Sequence, residues 1–99
     1  MKWAIRRSRR ANEDLLDIWL YVASDNPPAA YALTDGLIDA FETTADFPHI
    51  GRSINDILKD HRVLSHRGYV IIYRTDQIHK YVELTRVFHG ARRWQDMLS

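Results

Sequence analysis

The chain has 99 residues, of which 45% are hydrophobic and 27% are charged, and its formal net charge is +1. This length predicts one domain over residues 1–99, because two cores would each bury too little apolar surface. Cysteine is absent, which excludes disulfides and thiolate chemistry. No apolar run approaches the roughly 18 residues that span a bilayer, and the N-terminus lacks the apolar stretch of a signal peptide. We therefore expect a cytoplasmic protein that does not enter a membrane.

The charges are strongly segregated along the chain. Residues 11 to 49 contain eight acidic residues and no Lys or Arg. The remainder contains fourteen basic residues and five acidic ones, a surplus of nine positive charges. This distribution predicts one acidic and one basic side of the molecule. Internal salt bridges between the two parts are the alternative explanation.

The first half of the chain predicts a short strand and two helices. Residues 2 to 7 alternate as a strand does, and Ser8 has the side chain of a helix N-cap. The predicted first helix ends near Ser24 and has one apolar stripe at helical spacing, formed by Ala11, Leu15, Ile18, Trp19 and Val22. Asn26-Pro27-Pro28 combines a cap with prolines that fit the first turn of a second helix, which Phe47-Pro48 ends. The short connection predicts an antiparallel helical hairpin. The second helix is expected to bury Ala30, Leu33, Leu37, Ala40, Phe41 and Thr44.

The second half predicts a sheet. Residues 49 to 60 are expected to form a loop with one helical turn, after which the apolar period changes from 3.6 to 2. Strands are predicted at 62–66, 69–75 and 80–88, and the turns between them are short enough for hairpins. One or two helical turns are expected in the tail, 91–98. The predicted fold class is α+β, in the order β-α-α-β-β-β, with the helical hairpin packed on an antiparallel sheet.

A two-residue turn at Arg67-Gly68 would place Arg62 opposite Tyr73, and opposed residues share a face of the sheet. The face toward the helices is then predicted to hold Val63, Val70, Ile72, Val82 and Leu84. The other face, predicted to be uncovered, would hold Arg62, Leu64, His66, Tyr69, Ile71, Tyr73, Tyr81 and Glu83. Arginines pair with phosphate or carboxylate groups and tyrosine rings stack, so such a face favours an anionic ligand. A solvated face whose tyrosines fill space between arginines is the alternative.

The five histidines raise the question of a metal or acid–base site. No helical H-x-x-x-H pair and no His–carboxylate cluster is present, so we predict no metal and no other cofactor. Two antiparallel reversals are expected to bring His89 to the same end of the sheet as His66, Arg67 and Arg86. A histidine beside arginines can act as a general acid or base. The competing interpretation is that His89 simply caps the end of its strand.

Four blocks of the sequence carry a family resemblance, and the segment from Arg9-Arg10-Ala11 through Asp14-Leu15 fits with them. They are Asp25-Asn26-Pro27-Pro28-Ala29-Ala30, Phe47-Pro48-His49-Ile50-Gly51-Arg52, Arg67-Gly68-Tyr69-Val70-Ile71-Ile72-Tyr73-Arg74 and Val87-Phe88-His89-Gly90-Ala91-Arg92. In this order, and over nearly the whole chain, they resemble the ParE branch of the RelE/ParE toxin superfamily. The resemblance implies the RelE-like fold and a type II toxin–antitoxin (plasmid stabilisation) system.

The resemblance to ParE toxins also implies partners. They are DNA gyrase, which the toxin traps in a cleavage complex so that replication stops, and a ParD-like antitoxin that forms a hetero-oligomer with the toxin. The chain would then be a non-enzymatic inhibitor. Contacts with gyrase, or with DNA bound to gyrase, are expected from Arg62, Arg67, Tyr69, Tyr73, Arg74, Arg86, His89, Arg92 and Arg93. The antitoxin is expected to cover the helical hairpin and the adjoining sheet edge, through Leu15, Trp19, Leu33 and Leu37.

The RelE branch suggests a different activity, ribosome-dependent cleavage of mRNA. In such an endoribonuclease the catalytic residues of this chain would be Arg62, His66, Arg74 and His89. The sequence departs from that pattern, because Val70 stands where RelE-like nucleases commonly have Arg, and Gly90 replaces an aromatic residue found in some of them. A missing cation at the scissile phosphate removes transition-state stabilisation, so the sequence favours the ParE hypothesis. A third hypothesis is a non-toxic relative that only binds an antitoxin.

Overall fold

The structure is a computed structural model that describes residues 2–90 and 93–98. Two long helices pack on one side of a five-stranded sheet, and a short helix follows the last strand. The strands are β1 (Ala4–Arg7), β2 (Arg52–Ser53), β3 (His61–His66), β4 (Tyr69–Asp76) and β5 (Tyr81–His89). The helices are α1 (Arg9–Ala23), α2 (Pro27–Glu42) and α3 (Trp94–Met97). The predicted α+β class, with a helical hairpin on a sheet, is confirmed.

The sheet is mixed rather than wholly antiparallel. Its strand order is β1-β5-β4-β3-β2, and β1 pairs parallel to β5, with Ala4 opposite Tyr81 and Arg7 opposite Leu84. The chain then leaves the sheet at Ser8 to begin α1. Beyond Leu84, therefore, the outer edge of β5 lies alongside α1 instead of β1, while its other edge stays paired with β4.

Local signals place the two long helices. The Ser8 hydroxyl accepts a hydrogen bond from the Ala11 N–H at 3.0 Å, and the Asn26 side chain accepts one from the Ala29 N–H at 3.2 Å. These side chains satisfy backbone donors that a helix start leaves unpaired. α2 ends at Glu42 and passes into a 3-10 turn at Thr43–Ala45, earlier than the predicted stop at Phe47. No helix within residues 2–90 and 93–98 is long and apolar enough to cross a membrane.

The predicted pairing of β3 with β4 is confirmed, but the predicted faces of these two strands are wrong. The opposed pairs include Arg62 with Tyr73, Leu64 with Ile71 and His66 with Tyr69. The residues packed against the helices are Leu64, Tyr69, Ile71 and Tyr73. Those on the opposite face are Val63, Val70 and Ile72. Val82 and Leu84 of β5 do face the helices, as predicted, and the register between β4 and β5 shifts between Ile72 and Tyr73.

The face of the sheet away from the helices is covered, contrary to the prediction. A second apolar cluster fills it, made of Ile54, Val63, Val70, Ile72, Phe88 and Trp94, with Leu58, Met97 and Leu98 packed around them. The centre of β4 is consequently buried on both sides. A strand that is buried on both faces is apolar throughout and shows no alternation. The sequence pattern therefore carried no information on which face meets the helices.

The loop that follows α2 is tied to the sheet through Tyr73. This side chain was expected to contact a target, but it is fully buried. Its hydroxyl donates to the Pro48 carbonyl at 2.8 Å and accepts from the Gly51 N–H at 2.9 Å. Nη1 of Arg62 donates to the carbonyls of Gly51 at 2.7 Å and of His49 at 3.4 Å. Both predicted target contacts therefore serve the fold.

The turn between β4 and β5 is held by the carboxylate of Asp76. It accepts the N–H groups of Ile78 at 3.0 Å and of His79 at 2.8 Å, and the His79 ring Nδ1 lies 3.1 Å from it. The hydrogen bond from the His79 backbone is the largest of the causes that lower the pKa of Asp76 from 3.8 to about 2.

Because the pKa of Asp76 is lower in the folded state, its ionised form stabilises the fold above the unfolded pKa of 3.8, and this contribution is lost as the pH falls toward about 2. We expect the Asp76 carboxyl signal in an NMR titration to have its midpoint near pH 2. Asp76→Asn should remove this part of the acid sensitivity of unfolding. A titration midpoint at the ordinary aspartate value would contradict the assignment.

Candidate functional site

A groove opens between α1 and the end of the sheet at which β5 stops. Its volume is about 440 Å³, and it is lined by Asp14, Asp17, Ile18, Tyr21, Tyr69, Val87 and His89. We call it the α1–β5 groove. It exists because β1 ends opposite Leu84, so that on this edge the last residues of β5 are flanked by side chains of α1 and no longer by β1.

Two histidines and a tyrosine form a row across three strands at this end of the sheet. His66 lies opposite Tyr69, which in turn lies opposite His89. The rings of Tyr69 and His89 meet edge to face, with their centroids 5.1 Å apart. Nε2 of His66 is buried and has no hydrogen-bond partner in the described part of the chain, and a Cβ on Gly36 of α2 would lie 3.2 Å from it. The prediction that His66 and His89 lie at the same end of the sheet is confirmed.

An ion pair fixes one wall of the groove. Asp14 of α1 accepts hydrogen bonds from Arg86 Nε at 2.8 Å, from Arg86 Nη2 at 3.1 Å and from the Val87 N–H at 3.0 Å. The side chains of Asp14 and Arg86 are each only 13% exposed. The Asp14 carboxylate thus accepts the hydrogen bond from the Val87 N–H that a carbonyl of β1 would accept if β1 continued. The guanidinium of Arg86, an expected target contact, is thus already bonded to Asp14.

The four residues of the ribonuclease hypothesis do not converge. Arg62 lies four residues from His66 along β3, about 13 Å away at the rise of an extended strand. Arg74 is adjacent to Tyr73 and so projects from the opposite face to Arg62. Its Nη2 donates to the Tyr81 hydroxyl at 2.6 Å and lies 3.4 Å from the Glu83 carboxylate. Neither arginine can meet a phosphate that His66 and His89 share.

Some of the predicted target contacts remain accessible. Arg67 is exposed in the β3–β4 turn, His89 is exposed at the end of β5, and Tyr69 is half-buried beside it. Arg93 is exposed and its Nε lies 3.2 Å from the Asp96 carboxylate. Arg92 lies outside the described residues. The accessible members of the predicted set therefore include a group at one end of the sheet.

The predicted antitoxin contacts are divided between core and surface. Leu15 and Leu37 are buried between the hairpin and the sheet, where they contribute to the core. Trp19 and Leu33 are half-buried. The ring of Trp19 on α1 meets that of Tyr31 on α2 edge to face, with centroids 5.2 Å apart.

Sequence reasoning missed three apolar side chains on the outside of the hairpin. Leu16, Leu20 and Tyr31 are 56%, 53% and 58% exposed. Leu16 and Leu20 are one helical turn apart and so lie side by side on α1. The signal was present, because the solvent side of an ordinary amphipathic helix is polar. Each of these leucines directly follows a residue of the predicted apolar stripe.

The acidic residues of the helical hairpin are mostly not neutralised by ion pairs in the folded chain. Of the eight acidic residues in 11–49, only Glu13 and Asp14 form ion pairs among the residues that the structure describes. Internal neutralisation is therefore not the explanation of the segregated charge. A basic cluster lies at the junction of β1 and α1, where the exposed arginines are Arg6, Arg7, Arg9 and Arg10.

A helical hairpin packed on a mixed five-stranded sheet is the fold of the RelE/ParE class of small toxins. The chain matches the family described as the ParE toxin of the type II toxin–antitoxin system, parDE, over residues 5–94. It is 30% identical over 98 residues to Y4kP of Sinorhizobium fredii (strain NBRC 101917 / NGR234), a protein provisionally named a toxin. That match covers 99% of this chain and 95% of Y4kP. The chain belongs to the ParE toxin family.

Solved structures share the fold. A chain of the chromosomal ParDE system from P. aeruginosa superposes with a TM-score of 0.73 at 16% identity, over 89% of this chain and 96% of that one. The RelBE2 toxin–antitoxin complex of Mycobacterium tuberculosis gives 0.66 at 22% identity, over 90% and 99%. The isolated E. coli RelE toxin gives 0.58 at 15% identity, over 97% and 95%. ParE and RelE systems thus share this architecture, so the fold alone does not define the activity of this chain.

Proposed function

We propose that this ParE-family toxin inhibits DNA gyrase, and thereby replication, and that a ParD-like antitoxin neutralises it. The observation that carries the proposal is the match to the ParE family over residues 5–94, which is nearly the whole chain. Gyrase is the target that the ParE branch implies. The remaining support comes from the placement of the basic and histidine side chains.

The geometry gives little support to ribonuclease activity. Cleavage of a phosphodiester requires a general acid or base within hydrogen-bond reach of the reacting atoms and a cation near the developing charge. Nη1 of Arg62 donates to loop carbonyls, and Nη2 of Arg74 donates to Tyr81 and Glu83. His66 has its Nε2 buried against α2. A toxin that acts by binding does not require these side chains to converge on one phosphate.

The target-binding surface in this proposal consists of the accessible basic side chains. One group is Arg67 in the β3–β4 turn with the exposed His89 beside it and Arg93 ahead of α3, and the other is the arginine cluster at the β1–α1 junction. Arginine is well suited to phosphate and carboxylate groups because its donors form paired hydrogen bonds. These side chains would contact gyrase or the DNA that it holds.

The antitoxin-binding surface in this proposal is the outer side of the helical hairpin. It offers apolar contacts at Leu16, Leu20 and Tyr31, on a hairpin whose acidic residues other than Glu13 and Asp14 form no ion pair in the described part of the chain. An amphipathic segment that carries leucine-like and basic side chains would complement both properties. The ParDE and RelBE2 structures to which this chain is similar are toxin–antitoxin systems.

The test is induction of the toxin without its antitoxin, with pulse labelling of DNA and protein synthesis in the same cells. We expect DNA synthesis to fall first, co-expressed antitoxin to restore it, and the purified toxin to block supercoiling by gyrase. An early fall in protein synthesis would contradict the proposal and favour the ribonuclease. Growth without arrest, with a folded toxin, would favour the non-toxic relative.

A charge-reversal pair locates the surface. Arg67→Glu with Arg93→Glu should weaken gyrase inhibition at least tenfold, because it places like charge opposite a surface that binds cations. Arg52→Glu, which changes an exposed arginine in β2 at the far edge of the sheet, is the control and should have little effect. Equal effects of the two changes would exclude this end of the sheet as the contact.

A further inference from the structure

We propose that the α1–β5 groove is a receptor for one arginine side chain of the antitoxin. The inference rests on the proposed function only in that it requires an antitoxin. The groove has a volume of about 440 Å³, so a single long side chain can enter without moving the fold. Its occupant is identified by the chemistry of the lining residues.

The lining combines the three surfaces that an arginine uses. Ile18 and Val87 supply apolar contacts for its methylene groups. The rings of Tyr21 and Tyr69 supply faces on which a planar guanidinium can stack. Asp17 supplies a carboxylate, which pairs with a guanidinium through two parallel hydrogen bonds.

Asp17 is the carboxylate available for this purpose. Asp14 already accepts three hydrogen bonds from Arg86 and Val87, and Arg86 balances its charge. Asp17 is exposed and forms no ion pair within the part of the chain that the structure describes. The groove thus presents one uncompensated negative charge on a helix that belongs to the acidic half of the molecule. An anionic ligand would be repelled here, whereas a cation is attracted.

The position of the groove points to the antitoxin rather than to a free metabolite. Asp17 and Tyr21 directly follow Leu16 and Leu20 in sequence, so they lie about 100° further around the axis of α1. A partner segment that covers the exposed leucines therefore passes along the rim of the groove. One of its side chains then has to extend over the edge of α1 to reach Asp17.

The first test uses N-acetyl-L-arginine amide as the probe, added to the isolated toxin and followed through amide NMR signals. We expect saturable shifts confined to residues around Asp17, Ile18 and Val87. Asp17→Asn should abolish them, and Asp39→Asn, which removes an exposed acid of α2, should leave them unchanged. An equal response with N-acetyl-L-glutamine amide, or in Asp17→Asn, would overturn the proposal. This test is independent of gyrase and of the antitoxin.

The second test measures binding of the antitoxin encoded beside the toxin. Asp17→Asn and Tyr21→Ala should each weaken the complex about tenfold, the loss typical of a charge-assisted contact, whereas Asp39→Asn should change it less than about twofold. Replacing the inserted antitoxin arginine with glutamine should add no further loss to Asp17→Asn. Tight binding that Asp17→Asn leaves unchanged would overturn the groove proposal while leaving the proposed function intact. If Asp17→Asn weakens the complex as expected but induction of the toxin leaves DNA synthesis undisturbed, only the gyrase proposal is contradicted.

Discussion

Asp14→Ala is expected to lower the free energy of unfolding by about 3 kcal/mol, because it removes one partner of a largely buried ion pair. Three hydrogen bonds are lost together, which leaves the Arg86 guanidinium and the Val87 N–H without their acceptor. Both side chains of the pair are only 13% exposed, so water can replace the carboxylate only in part. Urea unfolding followed by circular dichroism measures the loss.

The matched control for Asp14→Ala removes the cation instead. Arg86→Met alone should cost less, about 1–2 kcal/mol, because Asp14 keeps the Val87 N–H and gains access to water. The double variant should be more stable than Asp14→Ala, since no charge is then left unpaired. If the loss of stability in the double variant equals the sum of the losses in the two single variants, the two side chains are not coupled.

Gly51→Ala is expected to be at least as damaging, with a loss of about 3 kcal/mol or more from overpacking and broken hydrogen bonds. A Cβ at this position would lie 2.8 Å from Cε1 and from the hydroxyl oxygen of Tyr73, and 2.9 Å from the Val63 carbonyl oxygen. That carbonyl belongs to β3 and cannot retreat without breaking the sheet. The loop would have to move outward and lose its contacts with Tyr73 and Arg62. Urea unfolding is again the measurement.

Two variants separate the clash at Gly51 from other causes. Tyr73→Phe removes the hydrogen bonds to Pro48 and Gly51 but keeps the ring, and should cost about 1–2 kcal/mol. Gly68→Ala meets no atom within 4 Å, but its φ of +80° is strained for alanine, so about 1 kcal/mol is expected. A Gly51→Ala protein as stable as Tyr73→Phe would mean that the loop withdraws at no cost beyond its hydrogen bonds to Tyr73.

Gly90 shows that one departure from the ribonuclease pattern has a structural reason. Its N–H donates to the Gly68 carbonyl at 2.6 Å, and a Cβ on Gly90 would lie 2.5 Å from the same oxygen. The end of β5 therefore touches the β3–β4 turn, and no side chain fits between them. An aromatic residue at this position would require a different arrangement of turn and strand end.

The sequence by itself determined the helix starts, the pairing of β3 with β4 and the family. These depend on local signals, such as the caps at Ser8 and Asn26 and the turn at Arg67-Gly68. Both turn residues have positive φ, 50° and 80°, as a tight two-residue hairpin requires. The four sequence blocks that resemble ParE toxins lie at such turns, at strand ends and on the central strand.

Only the tertiary structure decided which residues face outward, because that depends on segments distant in the chain. Trp94 and Ile54 return to cover the second face of the sheet, so the uniformly apolar β4 is buried on both sides. Arg86 is held in a largely buried ion pair with Asp14, which is 72 residues away in the chain. The α1–β5 groove likewise arises from the early end of β1, which leaves part of β5 beside a helix. Hydrophobic periodicity predicts the buried side of a single helix or strand. It does not predict which distant elements pack against each other, and these contacts are of that kind.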